Sequence, residues 1–127
     1  MQPEFLLVSD MLAIHADQVE RYGGSPDLRD AGLPESAVET PRATFNHELL
    51  HADLFEMAAA YLYHIVSNHP FVDGNKRTGT AAAIVFLNIN GVEVDADQDD
   101  LADLVLAVAQ SKVVKADVVR FLRSHSR

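Results

Sequence analysis

The segment 53–90, DLFEMAAAYLYHIVSNHPFVDGNKRTGTAAAIVFLNIN, decides the fold because it holds two helical patterns separated by a short loop. In its first half, apolar residues recur at helical spacing and form one stripe that faces a core: Leu54, Met57, Ala58, Tyr61, Leu62 and Ile65. The second half, 75–90, is apolar on nearly every side, which predicts a central, buried helix. Pro70 and Gly74 punctuate the loop between them, so we predict two core helices joined by this loop.

The remaining sequence is also dominated by the helical period. Further helices are predicted over 4–22, 34–40, 98–111 and 115–124. The segment 44–51 has no clean period and is interpreted as irregular or as a hairpin, and 92–94 could form a short strand. The predicted fold class is therefore all-α: a bundle of five to six helices with a short hairpin, in a single domain spanning 1–127.

Composition narrows the possible functions. Ten Lys and Arg residues against 19 Asp and Glu residues give a net charge of −9, which argues against a general nucleic-acid binder. The chain has no Cys, so disulfides and thiolate chemistry are excluded. No apolar run approaches the roughly 20 residues of a spanning helix, and no basic region followed by an apolar stretch opens the chain. These features predict a cytoplasmic protein that does not bind membranes.

The loop between the core helices ends in a pair of cations. Lys76 and Arg77 fall in the first turn of the second helix, where each opposes the helix dipole at a cost of about 0.3–1 kcal/mol. A bound anion would turn this electrostatic cost into a stabilisation, because backbone N–H groups, the dipole and both side chains would then converge on the anion. Gly74 allows close approach to the backbone, and Asn75 could cap the helix or donate its amide to a phosphate oxygen. We predict a phosphate site here.

Two further residues of the loop add chemistry to that site. Asp73 offers a hard oxygen ligand, and Mg²⁺ is commonly held by one or two carboxylates plus substrate phosphates. His69 could take a proton from an attacking hydroxyl near neutral pH. Phe71 is predicted to point inward and anchor the loop. Taken together, these residues favour phosphoryl or nucleotidyl transfer.

The stretch HPFVDGNKR at 69–77 resembles the signature of the Fic family, H-P-F-x-[D/E]-G-N-[G/K]-R. Lys76 occupies the position where most Fic proteins have Gly, which marks the Doc (death-on-curing) branch. Other parts of the chain also resemble Doc-type proteins: RYGG at 21–24, LRDAGL at 28–33, DLFE at 53–56, and His15 in the first predicted helix. The resemblance therefore covers nearly the whole chain.

The resemblance implies a Fic fold in which His69 is the general base and Asp73 holds Mg²⁺. It implies that an anion hole around the phosphates of ATP is formed by Gly74, Asn75, Lys76 and Arg77. Typical Fic enzymes transfer AMP to a protein hydroxyl, whereas Doc proteins transfer the γ-phosphate and so act as protein Ser/Thr kinases. Doc proteins are toxins that act on a translation elongation factor, arrest translation and are neutralised by a Phd-type antitoxin.

Two departures bear on these expectations. Many Fic enzymes carry a second Arg three residues after the first, and Thr80 stands there in this sequence, which agrees with the Doc branch and disfavours AMP transfer. No clear self-inhibitory [S/T]-x-x-x-E-[G/N] pattern is found. Inhibition is therefore expected from a partner, seated in a hydrophobic groove that the sequence does not locate.

Two alternatives belong to other functional classes. HELLH at 47–51 matches the zinc pattern H-E-x-x-H, which on a helix would place two His ligands on one side with Glu48 as base. Under the family resemblance this stretch is instead a flap beside the active site. The other alternative is a non-catalytic binding module, which the presence of His69, Asp73, Asn75 and Arg77 disfavours.

Overall fold

The computed structural model describes residues 3–29, 32–42, 44–45, 48–49 and 53–127, which form six α-helices and one short hairpin. In chain order the elements are α1 (Val8–Tyr22), α2 (Gly32–Glu39), a 3-10 turn (Thr40–Arg42), β1 (Thr44–Phe45), β2 (Glu48–Leu49), α3 (Leu54–Asn68), α4 (Asn75–Ile89), α5 (Gln98–Ala109) and α6 (Lys115–Ser124). The all-α prediction with a short hairpin is confirmed. Within the described residues, no helix is long and apolar enough to cross a membrane.

The predicted pair of core helices forms the centre of the fold. Helix α3 packs along α4 on one side and against α6 on another. The two central helices approach closely at Gly79, where an added Cβ would lie only 2.8 Å from Val66 Cγ2. Large side chains that are fully buried around this contact include Tyr61, Leu62, Ile65, Phe86, Leu87 and Leu122. The loop after α3 is thus fixed between the two most buried helices.

Helix α1 begins later than the sequence predicts. We expected it to start at Glu4, but it starts at Val8. The Asn90 side chain takes both backbone groups of Glu4, donating to its carbonyl at 2.9 Å and accepting from its N–H at 2.8 Å. The backbone N–H of Leu6 donates to the hydroxyl of Tyr61 at 3.0 Å. These tertiary hydrogen bonds satisfy the backbone groups of Glu4 and Leu6 in a non-helical conformation, so the segment before Val8 needs no helical partners.

The segment 44–51, interpreted above as irregular or as a hairpin and also carrying the H-E-x-x-H pattern, contains two short paired strands. Strands β1 and β2 pair in an antiparallel register, with Phe45 opposite Glu48. Because Glu48–Leu49 are extended, the centre of the H-E-x-x-H pattern lacks the helical geometry on which the zinc prediction depends. His47 and His51 lie outside the described residues. The predicted strand at 92–94 was wrong: Val94 forms only an isolated bridge with Ser126.

Candidate active site at the start of helix α4

Two residues of the loop between α3 and α4, Phe71 and Asn75, stabilise its conformation. Phe71 points inward, as predicted, and only 1% of it is exposed. The Asn75 side chain accepts from the Phe71 N–H at 3.0 Å and donates to the Phe71 carbonyl at 2.9 Å. We expected this amide to cap the helix or hold phosphate, but its oxygen and one of its N–H groups are bound to Phe71. In this structure Asn75 fixes the loop, and its backbone N–H is what it offers to an anion.

His15 of α1 supports the loop from below. Its ring stacks on Phe71, with centroids 3.7 Å apart and planes 6° apart, and the residue is 3% exposed. Its Nε2 lies 2.8 Å from the carbonyl oxygen of Asp73. Since a carbonyl only accepts, Nε2 carries the proton in this contact. The sequence singled out His15 only through the family resemblance, because its partner Asp73 lies 58 positions away and Phe71 is almost as distant.

A second support comes from the segment between α1 and α2, part of which, 28–33, was noted above through the family resemblance. Leu28 and Phe71 form an antiparallel bridge. Around it, the Val72 N–H donates to the Asp27 carbonyl and the Arg29 N–H donates to the Pro70 carbonyl, each at 3.0 Å. The loop between α3 and α4 is therefore one side of a short two-stranded contact.

Helix α4 begins without a side-chain cap. Gly74 is its N-cap residue, with φ 80° and ψ 16°, a left-handed conformation that glycine adopts without a Cβ penalty. The Thr78 N–H donates to the Gly74 carbonyl, while the N–H groups of Asn75, Lys76 and Arg77 have no acceptor among the described residues. Free N–H groups at a helix start bind anions well. The predicted anion cradle is therefore geometrically open.

The two cations flank this helix start. The side chains of Lys76 and Arg77 are exposed, and the Arg77 guanidinium lies 4.7 Å from the ring centroid of Tyr22 at the end of α1. A cation over an aromatic face is held electrostatically without losing its ability to donate hydrogen bonds at its edge. Tyr22 thus steadies Arg77 beside the free N–H groups.

Asp73 offers one carboxylate oxygen to the site. Its Oδ2 accepts from the Ser25 N–H at 2.9 Å, and its other oxygen has no partner among the described residues. No group of three His, Asp or Glu side chains suited to a metal occurs in the described part of the chain. One anchored carboxylate with an open oxygen fits Mg²⁺, because Mg²⁺ usually completes its shell with substrate phosphates and water.

His69 stands at the point where α3 ends, in a strained conformation. It has φ 51° and ψ 61°, in the left-handed region that costs a non-glycine residue about 1–2 kcal/mol. Pro70 follows, and a proline disfavours helical conformations in the residue before it. The side chain of His69 is exposed. Such strain persists where surrounding contacts impose it, and it concentrates at functional sites.

An apolar groove adjoins the site between α1, α4 and α5. Its volume is about 660 Å³. Lys76, Arg77 and Tyr22 form part of its wall, and the rest is lined by Gln18, Thr80, Ala81, Ile84, Gln98, Leu101, Ala102, Val105 and Leu106. An occupant of this groove would contact the same two cations that flank the helix start.

With this geometry in place, comparisons with known proteins give the family. The sequence model of the Fic/DOC family matches residues 5–87. The chain belongs to the Fic/DOC family. It is 37% identical over 114 residues to a protein named protein kinase doc from Escherichia phage P1, covering 90% of this chain and 89% of that protein. It is 46% identical over 90 residues to a protein named toxin Doc from Mycolicibacterium smegmatis (strain ATCC 700084 / mc(2)155), covering 69% of each chain.

Both relatives carry the name Doc, so the assignment to the Doc branch, made above from Lys76, is confirmed. The family match includes α1, α3, the loop that follows α3, and α4 as far as residue 87. It therefore covers the residues that build the candidate site.

Proposed function

We propose that this chain is a Doc-type toxin that transfers the γ-phosphate of ATP to a Ser or Thr hydroxyl of a target protein. The observation that carries the proposal is the uncapped start of α4, where three backbone N–H groups and two cations point to a phosphate ligand. The phage P1 relative is named a protein kinase, which supports the same reaction class.

Nucleotide binding would use the N–H groups of residues 75–77 with Lys76 and Arg77. Magnesium, when bound, would neutralise phosphate charge and help to align the transferred group. Asp73 would hold it through the carboxylate oxygen that Ser25 leaves open. Gly74 allows the left-handed backbone, with φ 80°, from which α4 and its free N–H groups begin.

His69 would act as general base on the target hydroxyl. As the hydroxyl oxygen attacks the γ-phosphorus, its proton passes to an imidazole nitrogen. A new P–O bond forms to the target, the bond between the γ-phosphorus and the bridging oxygen breaks, and ADP leaves with that electron pair. Holding these groups in line is the main contribution a protein makes to phosphoryl transfer.

Transfer of the γ-phosphate is favoured over AMP transfer by the residue at position 80. The Thr80 hydroxyl donates to the Lys76 carbonyl at 2.7 Å, inside the first turns of α4. Thr80 therefore does not supply the positive charge that an Arg at this position would offer to a second phosphate. Lys76 instead adds a charge one helical turn earlier, at the rim of the site.

The partners follow from the same proposal. The target would be a translation elongation factor, so that phosphorylation arrests translation in the cytoplasm. A Phd-type antitoxin would neutralise the toxin by inserting a segment into the groove between α1, α4 and α5. This groove is apolar inside and has Lys76 and Arg77 in its wall, so an occupant with an acidic group at one end would also cover the phosphate site.

The proposal is tested with ATP labelled at either the α or the γ phosphate, incubated with the protein, Mg²⁺ and a bacterial lysate. We expect a target band labelled from γ-labelled ATP only, and loss of that label when Mg²⁺ is chelated. Labelling from α-labelled ATP would show AMP transfer instead. No labelling from either nucleotide, with the protein folded, would contradict catalysis.

A further inference from the structure

Arg29, in the segment between α1 and α2, makes contacts that the mechanism above does not use. Its Nε donates to the His69 carbonyl and one terminal nitrogen donates to the Asn68 carbonyl, both at 2.6 Å. The guanidinium thus spans the last two carbonyls at the end of α3, immediately beside the candidate base. Along the chain, Arg29 lies 40 positions from His69 and 39 positions from Asn68.

We propose that Arg29 is a positioning residue that holds His69 in its left-handed conformation. The expected effect of Arg29 on catalysis rests on the proposed function, whereas its effect on the conformation of His69 rests on geometry alone. A cation at the carboxyl end of a helix satisfies carbonyl groups that have no helical partner and is stabilised by the helix dipole. The fixed fork of the guanidinium suits two adjacent acceptors better than a single ammonium does.

The strain at His69 explains why such a clamp is needed. A left-handed residue directly before a proline combines two unfavourable conditions, and surrounding contacts must impose it. The His69 N–H already donates to the Ile65 carbonyl at 3.2 Å, which closes the helix. Arg29 binds the Asn68 carbonyl, on the other side of the same peptide unit, and also the His69 carbonyl. The peptide units on both sides of the His69 Cα are therefore held, which sets the direction of its side chain.

Arg29 is available for this role because its guanidinium is not used in an ion pair within the described residues. The salt bridges of that part of the chain involve other arginines, namely Arg21, Arg120, Arg123 and Arg127. Its backbone is placed independently by its own N–H bond to the Pro70 carbonyl and by the neighbouring bridge between Leu28 and Phe71. Shortening the side chain therefore removes the clamp while leaving the main-chain pairing in place.

Two readouts test the inference with the variants Arg29→Ala and Arg29→Lys. The control is Arg120→Ala, which removes an exposed arginine from α6, where it pairs with Asp117. The first readout is the set of backbone and Cα chemical shifts of His69, which report its left-handed conformation without any activity. The second is the rate of transfer from γ-labelled ATP to the labelled target band, at varied ATP concentration.

We expect Arg29→Ala to move the His69 shifts out of the left-handed range and to lower kcat by about 10²-fold, because small misplacements of a reacting group have effects of that size. KM for ATP should not change, since Arg29 contacts no part of the phosphate site. Arg29→Lys should lose less activity because an ammonium reaches one carbonyl, and millimolar guanidinium should partly rescue Arg29→Ala. If Arg29→Ala fails to fold, the intermediate loss expected for Arg29→Lys decides the question.

Two results would overturn the inference: His69 shifts in Arg29→Ala that match those of the native chain, or a loss of activity that appears entirely as a raised KM. Failure of the proposed function gives a different pattern. The native chain would then label no target, while the His69 shifts would still respond to Arg29.

Discussion

Helices α4 and α5 begin in opposite ways. At α5, the Asp97 carboxylate accepts from the N–H groups of Asp99 and Asp100, at 2.9 and 3.2 Å, and both of those residues are acidic. At α4, the cap residue is a glycine with no side chain to offer, and the first turn holds two cations and no acid.

The difference separates a helix start that its own side chains stabilise from one that leaves its N–H groups without acceptors among the described residues. Asp97 satisfies donors that would otherwise need water, and the acids complement the dipole. Helix α4 lacks both forms of stabilisation, although it lies at the centre of the bundle. Under the proposed function, a bound phosphate would supply the acceptors and the negative charge that this helix start lacks.

The largest effect is expected where the loop carries the reacting group. His69→Ala should lower γ-phosphate transfer by about 10²–10⁴-fold, the usual contribution of general base catalysis. Because the His69 side chain is exposed, the midpoint of thermal unfolding should change little. The control is His125→Asn, which keeps a donor for the Phe121 carbonyl at the end of α6. Full activity in His69→Ala would end the assignment of His69 as base.

A smaller effect is expected at the cation above Tyr22. Arg77→Ala should weaken nucleotide binding and turnover together by about 10²-fold, because a charged donor to the phosphates is lost in the ground state and the transition state. Titration calorimetry with Mg·ADP and the labelling rate measure the two parts. Arg120→Ala serves as the matched control. Unchanged affinity and turnover in Arg77→Ala would contradict its role at the phosphate.

The smallest effects compare the two helix starts directly, through stability in urea without nucleotide. Asp97→Ala should lower the free energy of unfolding by about 1 kcal/mol, the usual value of a lost cap, and leave transfer unchanged. Lys76→Glu should raise it by about 0.3–1 kcal/mol by favouring the dipole, while reducing transfer. If Lys76→Glu lowered stability or preserved transfer, the contrast between the two starts would be mistaken.

The local pattern of the sequence predicted what depends on near neighbours. Helix α6 has the predicted bounds, α3 begins at Leu54, directly after the start of the predicted segment at 53, and Phe71 points inward. These features follow from apolar spacing, capping residues and loop punctuation, all of which act within a few residues.

The sequence did not predict contacts that join distant segments. Nothing local shows that the Asn90 side chain binds the backbone of Glu4, which lies 86 positions away. The supports of the loop between α3 and α4 come from α1 and the segment after it: His15 lies 58 positions from Asp73, and Arg29 lies 40 positions from His69. The roles of His69, Asp73, Lys76 and Arg77 in catalysis and binding stay predictions.

The central claim is that the start of α4 binds the phosphates of a magnesium nucleotide, and amide chemical shifts measure this most directly. On titration with Mg·ATP, the N–H resonances of Asn75, Lys76 and Arg77 should shift strongly and saturably, while those of Asp99 and Asp100 at the start of α5 should not move. Equal or absent shifts at the two helix starts would contradict the account.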